Sequence, residues 1–139
     1  MADSTTVTAT FDVTGWDDAP YDEPADGPRL ARVTVRRTFQ GGLDGDSVAE
    51  LLMCQGDAED PAAGAGYVAS EVVTGVLDGR AGSFVIQHGG VMGGGEAART
   101  FGHVVPGSGR GELAGLGGAV EIARDDDGAH TITLDVRFS

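Results

Sequence analysis

The chain has 139 residues, 40% of them hydrophobic, enough for one core and too few for two ordinary domains, so a single domain spanning residues 1–139 is expected. With 22 acidic against 9 basic residues the net charge is −13, a field that repels phosphate backbones and anionic lipid surfaces and removes nucleic acid and membrane from the expected partners. The apolar runs fall far short of the roughly 18 residues that span a bilayer, the opening MADSTTVTATFDV lacks the basic and apolar segments of a leader, and the lone Cys54 can form no internal disulfide; a reducing, cytoplasmic setting is expected.

Helical periodicity is nearly absent, and the 24 glycines punctuate short segments of period-two alternation, the pattern of strands joined by tight turns. From Thr6 to Val13, Val7, Ala9, Phe11 and Val13 take one face and polar residues the other. Trp16–Pro28, acidic and rich in proline, reads as a long loop. Further strands are expected at 29–39, 47–54, 66–77, 80–89, 96–105 and 117–124, with a flexible connection at Asp57–Gly66 and a turn at Asp125–Gly128. The last segment, Thr131–Phe138, alternates as the first does. Eight antiparallel strands of this kind predict an all-β fold closed as a barrel or a sandwich.

The clearest local signal is Leu77-Asp78-Gly79-Arg80, where Asp-Gly between strand patterns calls for a two-residue type I′ hairpin. That turn fixes a register: Val73 opposite Phe84, Glu71 opposite Ile86 and Ala69 opposite His88. Tyr67, Glu71, Val73, Phe84, Ile86 and His88 then share one bulky face, which is the interior. Glu71 lies diagonal to His88 within side-chain reach, an acid/base pair enclosed by apolar walls. The alternatives are a hydrogen bond that merely satisfies two half-buried groups, or an inverted register with both in water. Arg37, in phase with Val33, Val35 and Phe39, points inward and needs an anionic partner, for which Glu50, in phase with Val48, Leu52 and Cys54, is the candidate; a bulge that turns Arg37 outward is the competing reading. Cys54 reads as a small core residue rather than a nucleophile.

Other signals carry less. Gly93-Gly94-Gly95 and Gly107-Ser108-Gly109 have no following Lys and helix, so they read as turns rather than phosphate cradles. His88, His103 and His130 lack metal-ligand spacing, and the acidic 17–26 stretch lacks the spacing of a calcium loop. Neither metal nor cofactor is expected.

The segment GSGRGELAGLGGAVEI at Gly107–Ile122 resembles the glycine-punctuated end of allene oxide cyclase and dirigent-type barrels. FDVTGWDDAPYDE, TGVLDGRAGSFVIQHGG and VVPGSGRGELAGLGG together resemble an uncharacterised bacterial family assigned to that allene-oxide-cyclase-like, calycin-like barrel group. The resemblance covers nearly the whole chain and implies an eight-stranded antiparallel β-barrel. Relatives in the barrel group bind apolar molecules inside and guide their cyclisation by shaping them. The family places a Trp two residues before Val104, where this chain has Gly102, so a wider interior is expected there if that position faces inward.

These readings converge on a barrel for a small apolar molecule, acting as a cofactor-independent cyclase or isomerase that confines its substrate. Trp16, Tyr67, Phe84 and Ile86 would shape the cavity, Glu71 and His88 supply acid/base groups, and Arg37, with Glu50 beside it, hold an anion. A non-catalytic carrier of lipophilic ligands, or a filled barrel acting through protein contacts, are the competing expectations. A valine-rich outer face at Val68, Val72, Val76 and Val85 would be covered by a homo-oligomer.

Overall fold

A computed structural model describes residues 4–124 and 127–139. The strands are β1 (Thr5–Asp22), β2 (Arg29–Gly41), β3 (Leu43–Gln55), β4 (Ala65–Leu77), β5 (Arg80–Gly93), β6 (Glu96–Val104), β7 (Arg110–Gly111), β8 (Leu116–Arg124) and β9 (His130–Phe138), with one 3-10 turn at Pro61–Ala63. Part of the expected turn at Asp125–Gly128 lies outside the described residues. No helix among the described residues is long and apolar enough to cross a membrane.

All pairings are antiparallel. The sheet runs β4-β3-β2-β1-β9-β8-β6-β5, and β4 pairs with β5 to close a ring of eight strands, with the short β7 added to β5. The all-β, eight-stranded ring expected from the sequence is therefore present. Its register follows the Asp-Gly turn: Asp78 and Gly79 both have positive φ, 47° and 82°, as a type I′ turn requires, and every pair from Leu77↔Arg80 to Ala69↔His88 falls where that turn sets it.

One expectation is overturned. Trp16–Asp22 is strand, not loop: β1 continues antiparallel to β2 through Trp16↔Val35, Asp18↔Val33 and Asp22↔Leu30, after a bulge between Val13 and Gly15. Beyond Phe11 this strand has lost β9 as a neighbour and is an edge. Edges tolerate Pro20, which has no N–H to give a ladder, and acidic side chains there discourage further pairing. Only residues 23–28 are a true connection.

The interior is stacked in layers set by register. Nearest the open end, Ala31, Met53, Tyr67, Gly90 and Thr100 are successive cross-strand partners; below them come Val33, Leu51, Ala69, His88 and Gly102; then Val35, Ala49, Glu71, Ile86 and Val104; then Arg37, Ser47, Val73 and Phe84. The large apolar cluster takes in Val73, Phe84, Ile86 and Val104 of these layers and continues below them through Phe11, Phe39, Leu43, Leu77, Leu113 and Leu134. A smaller cluster of Ala31, Val33, Val35, Ala49, Leu51 and Ala69 lines the upper wall. Small residues in the upper layers leave room for the bulky polar side chains that share those layers.

The phase of β3 also differs from expectation. Leu43, Ser47, Ala49 and Leu51 are buried, whereas Glu50 and Leu52 face outward and are exposed, with Val48 and Cys54 half-buried. Both alternations of this strand are largely apolar, so its hydrophobic pattern does not select a face; pairing with β2 and β4 does.

Candidate functional site

Four layers each contribute one or more polar side chains, and these join into one chain along the barrel. Tyr67 Oη lies 2.9 Å from His88 Nδ1, and His88 Nε2 lies 2.8 Å from Glu71 Oε1. Arg37 Nη1 donates to the same Oε1 at 2.5 Å, and Ser47 Oγ donates to Oε2 at 2.5 Å. The side chains of Glu71 and His88 are 0% and 2% exposed and that of Arg37 11%. An ionised carboxylate can only accept, so His88 Nε2 is the donor to Glu71, and in the neutral imidazole Nδ1 is then the acceptor for the Tyr67 hydroxyl. The result is a directed series of donors, Tyr67 to His88 to Glu71, anchored by Arg37 and Ser47.

Electrostatics fixes the charge states. Burial pushes the Glu71 carboxyl up, but the hydrogen bond from His88, the Arg37 charge and the Ser47 hydroxyl outweigh it and hold the group below its ordinary value. It is an anion at neutral pH. Burial pushes the Tyr67 phenol up, with Arg37 opposing and Glu71 reinforcing, so tyrosine stays protonated. The Arg37 guanidinium also lies 5.2 Å over the Phe11 ring, and its Nε is buried without an acceptor.

The upper end of this series opens on a cavity of about 160 Å³ walled by Met53, Ala65, Tyr67, Gly90, Met92 and Thr100, among others, with almost wholly apolar surface. Larger depressions, such as one of about 290 Å³ over Leu52, Val68 and Phe101, lie on the outer faces of the strands. Three depressions touch the relay: the one of about 290 Å³ borders His88, one of about 360 Å³ borders Arg37 and Ser47, and the mouth cavity borders Tyr67. The site is assigned to the mouth cavity because it is the one with almost wholly apolar walls and it lies at the donor end of the relay.

The expected site residues separate clearly. Glu71 and His88 meet as the hairpin register required, and Tyr67 joins them. Arg37 does point inward, but its partner is Glu71. Glu50 is corrected: it lies on the outer face of β3, exposed, bonded to Arg32 Nε at 3.1 Å and Thr34 Oγ1 at 3.0 Å, because β3 has the opposite phase. Phe84 and Ile86 are fully buried beneath the cavity. Trp16 pairs with Val35 on the free edge of β1 and is 56% exposed, away from the cavity walls. The widening expected at Gly102 is absent, because a Cβ there would meet the Val120 carbonyl oxygen at 2.5 Å; the β8 backbone occupies that space.

Ser47 was not singled out from the sequence. Its signal is positional: it stands directly opposite Arg37, and an inward Arg requires polar neighbours.

The depressed Glu71 pKa makes a prediction with a definite sign. The stability it contributes is fully present above the ordinary carboxyl value of 4.5 and is lost as pH falls through the lower folded value. Urea midpoints of the protein and of Glu71→Gln, measured from pH 7 to pH 3, should therefore converge below that ordinary value. A constant gap would mean that Glu71 is not held as an anion.

A family profile described as a protein of unknown function, DUF3224, matches residues 7–136. The crystal structure of a protein of unknown function from the DUF3224 family, from Shewanella oneidensis MR-1, is 36% identical, covers 99% of both chains and superposes with a TM-score of 0.80. No curated protein matches.

Proposed function

This chain belongs to the DUF3224 family, and we propose that it is a small-molecule barrel acting as a cofactor-independent isomerase or cyclase by proton transfer at Tyr67. The observation that carries this reading is the continuity between an apolar cavity and a buried Tyr67–His88–Glu71 relay. A cavity of about 150 Å³ accommodates a benzene ring, so the ligand is a small, mainly apolar molecule, and one with an enolisable carbonyl can use the relay.

In the step that follows, the Tyr67 oxygen takes a proton from the carbon beside the carbonyl while its own proton passes to His88 Nδ1. The C–H electron pair moves into the enolate, and the imidazolium is held against the Glu71 carboxylate. Returning the proton to a different carbon completes an isomerisation and restores both residues. The raised Tyr67 pKa means that tyrosinate does not accumulate, so both transfers occur together. Positioned acid/base groups of this kind contribute about 10²–10⁴-fold, and confinement of the ligand adds to that. The likeness of the Gly107–Ile122 segment to cyclase barrels agrees with the reading.

The test uses small β,γ-unsaturated cyclic ketones. Saturable shifts of the Met53 and Met92 methyl resonances should report occupancy, and deuterium from solvent should enter the α-carbon faster than in buffer. Occupancy without exchange would make the protein a carrier; absence of both would reject the pocket.

A further inference from the structure

We infer that the outer face of β4 and β5 is the contact surface of a twofold dimer of this chain. On that face β4 presents Val68, Ser70, Val72 and Val76, and β5 presents Val85 and Gln87. No outward position of either strand carries a charge, in a chain with 22 acidic residues and a net charge of −13. Val68, Val72 and Val76 are 52%, 51% and 42% exposed. The strip continues sideways to Leu52 on β3 and Phe101 on β6, 52% and 53% exposed, whose strands pair in the row Leu52↔Val68↔Gly89↔Phe101.

Strands that are apolar on both faces are characteristic of sheets covered on both sides. Here the inner face is covered by the barrel core, and the outer one calls for a cover too.

Charge selects a second copy as that cover. Two molecules of net charge −13 repel wherever their acidic surfaces meet, and an uncharged face is where they can approach. A partner recognised through the acidic surface would instead meet charge, and this face offers none. The flanking charges are of both signs, Asp44, Asp46 and Glu50 with Arg32 on the β3 side and Arg99 on β6, so the rim complements itself under a twofold axis that sets β3 of one copy against β6 of the other.

Size also allows it. β4 and β5, with 13 and 14 residues, lie about 4.8 Å apart and run about 43 Å, which gives about 400 Å² of face per copy. With Leu52 and Phe101 at its margins, two copies together approach the roughly 1,000–1,200 Å² at the lower edge of specific interfaces. Valine-covered sheets stack face to face at about 10 Å.

Sedimentation equilibrium at micromolar concentration is expected to give twice the chain mass. Because the remaining charge is repulsive, association should strengthen with added salt, the reverse of an interface held by ion pairs. Val68→Lys and Val72→Glu, tested separately, should each weaken association by at least about a hundredfold, with circular dichroism unchanged, whereas Thr133→Lys on β9 should leave it intact. Should both face variants fail to fold, a half-labelled sample of the unaltered protein gives the answer: intermolecular contacts between valine methyls of β4 and β5 support the dimer, and their absence overturns it. A monomer at all concentrations, or a dimer untouched by both substitutions, would also overturn the inference.

Discussion

Replacing Glu71 by alanine is expected to remove about 3–5 kcal/mol of stability, the usual cost of taking one partner from a buried ion pair. Domains are commonly stable by about 5–15 kcal/mol, so the change takes a large share of the total. The cost comes from what stays behind. Arg37, 11% exposed, loses the carboxylate that neutralises it, and His88 Nε2–H and Ser47 Oγ–H lose their acceptor. The hydrophobic area forfeited by so small a truncation is minor by comparison. Adding Arg37→Met to the alanine variant should recover most of the loss, because the stranded charge leaves with the side chain. Urea unfolding of the single and double variants measures both. A single-variant loss below about 1 kcal/mol would mean that Arg37 escapes to solvent when unpaired, and that Glu71 does not hold it in place.

Tyr67→Phe should leave ligand occupancy within a few-fold of the unaltered protein and lower ketone deuterium exchange by about a hundredfold or more. The ring still forms the cavity wall, so binding persists. Tyr67 is the relay residue in the wall of the mouth cavity, and its hydroxyl is the group that carries the proton, so proton transfer does not. Stability should fall by only about 1–2 kcal/mol, for one hydrogen bond whose remaining acceptor, His88 Nδ1, is left unsatisfied. The split between turnover and binding separates a group that moves a proton from one that merely shapes the pocket. Unchanged exchange in Tyr67→Phe would sink the Tyr67 mechanism outright.

The hairpin was the most legible part of the chain because its turn chemistry fixes phase without tertiary information. Two residues needing positive φ, Asp78 and Gly79, set the position of every later pair, and with it the meeting of Glu71 and His88. The partner of Arg37 was not legible in the same way. It depends on the phase of β3, and a strand with Val48 and Leu52 on one alternation and Ala49, Leu51 and Met53 on the other supports either face. Burial of Ser47 and Ala49 in place of Val48 and Glu50 is decided by neighbours, not by the strand. The extension of β1 was hidden for a related reason. Acidic residues and proline usually mark a loop, yet on an edge with one hydrogen-bonding neighbour they are compatible with a strand. The cavity itself has no sequence signal beyond the small residues Ala65, Gly90 and Ala98 that border it.

The first strand lies between β2 and β9, so Thr5 is paired with Val136 near the opposite end of the described chain. Seven of the eight ring contacts can form between strands that are near in sequence or already assembled, but this seam joins segments separated by almost the whole chain. Closing it carries the largest loop-entropy cost in the fold. The ring is therefore sealed late, and refolding belongs to the slow, millisecond-to-second regime of non-local β-proteins, with the polar relay enclosed only as the seam forms.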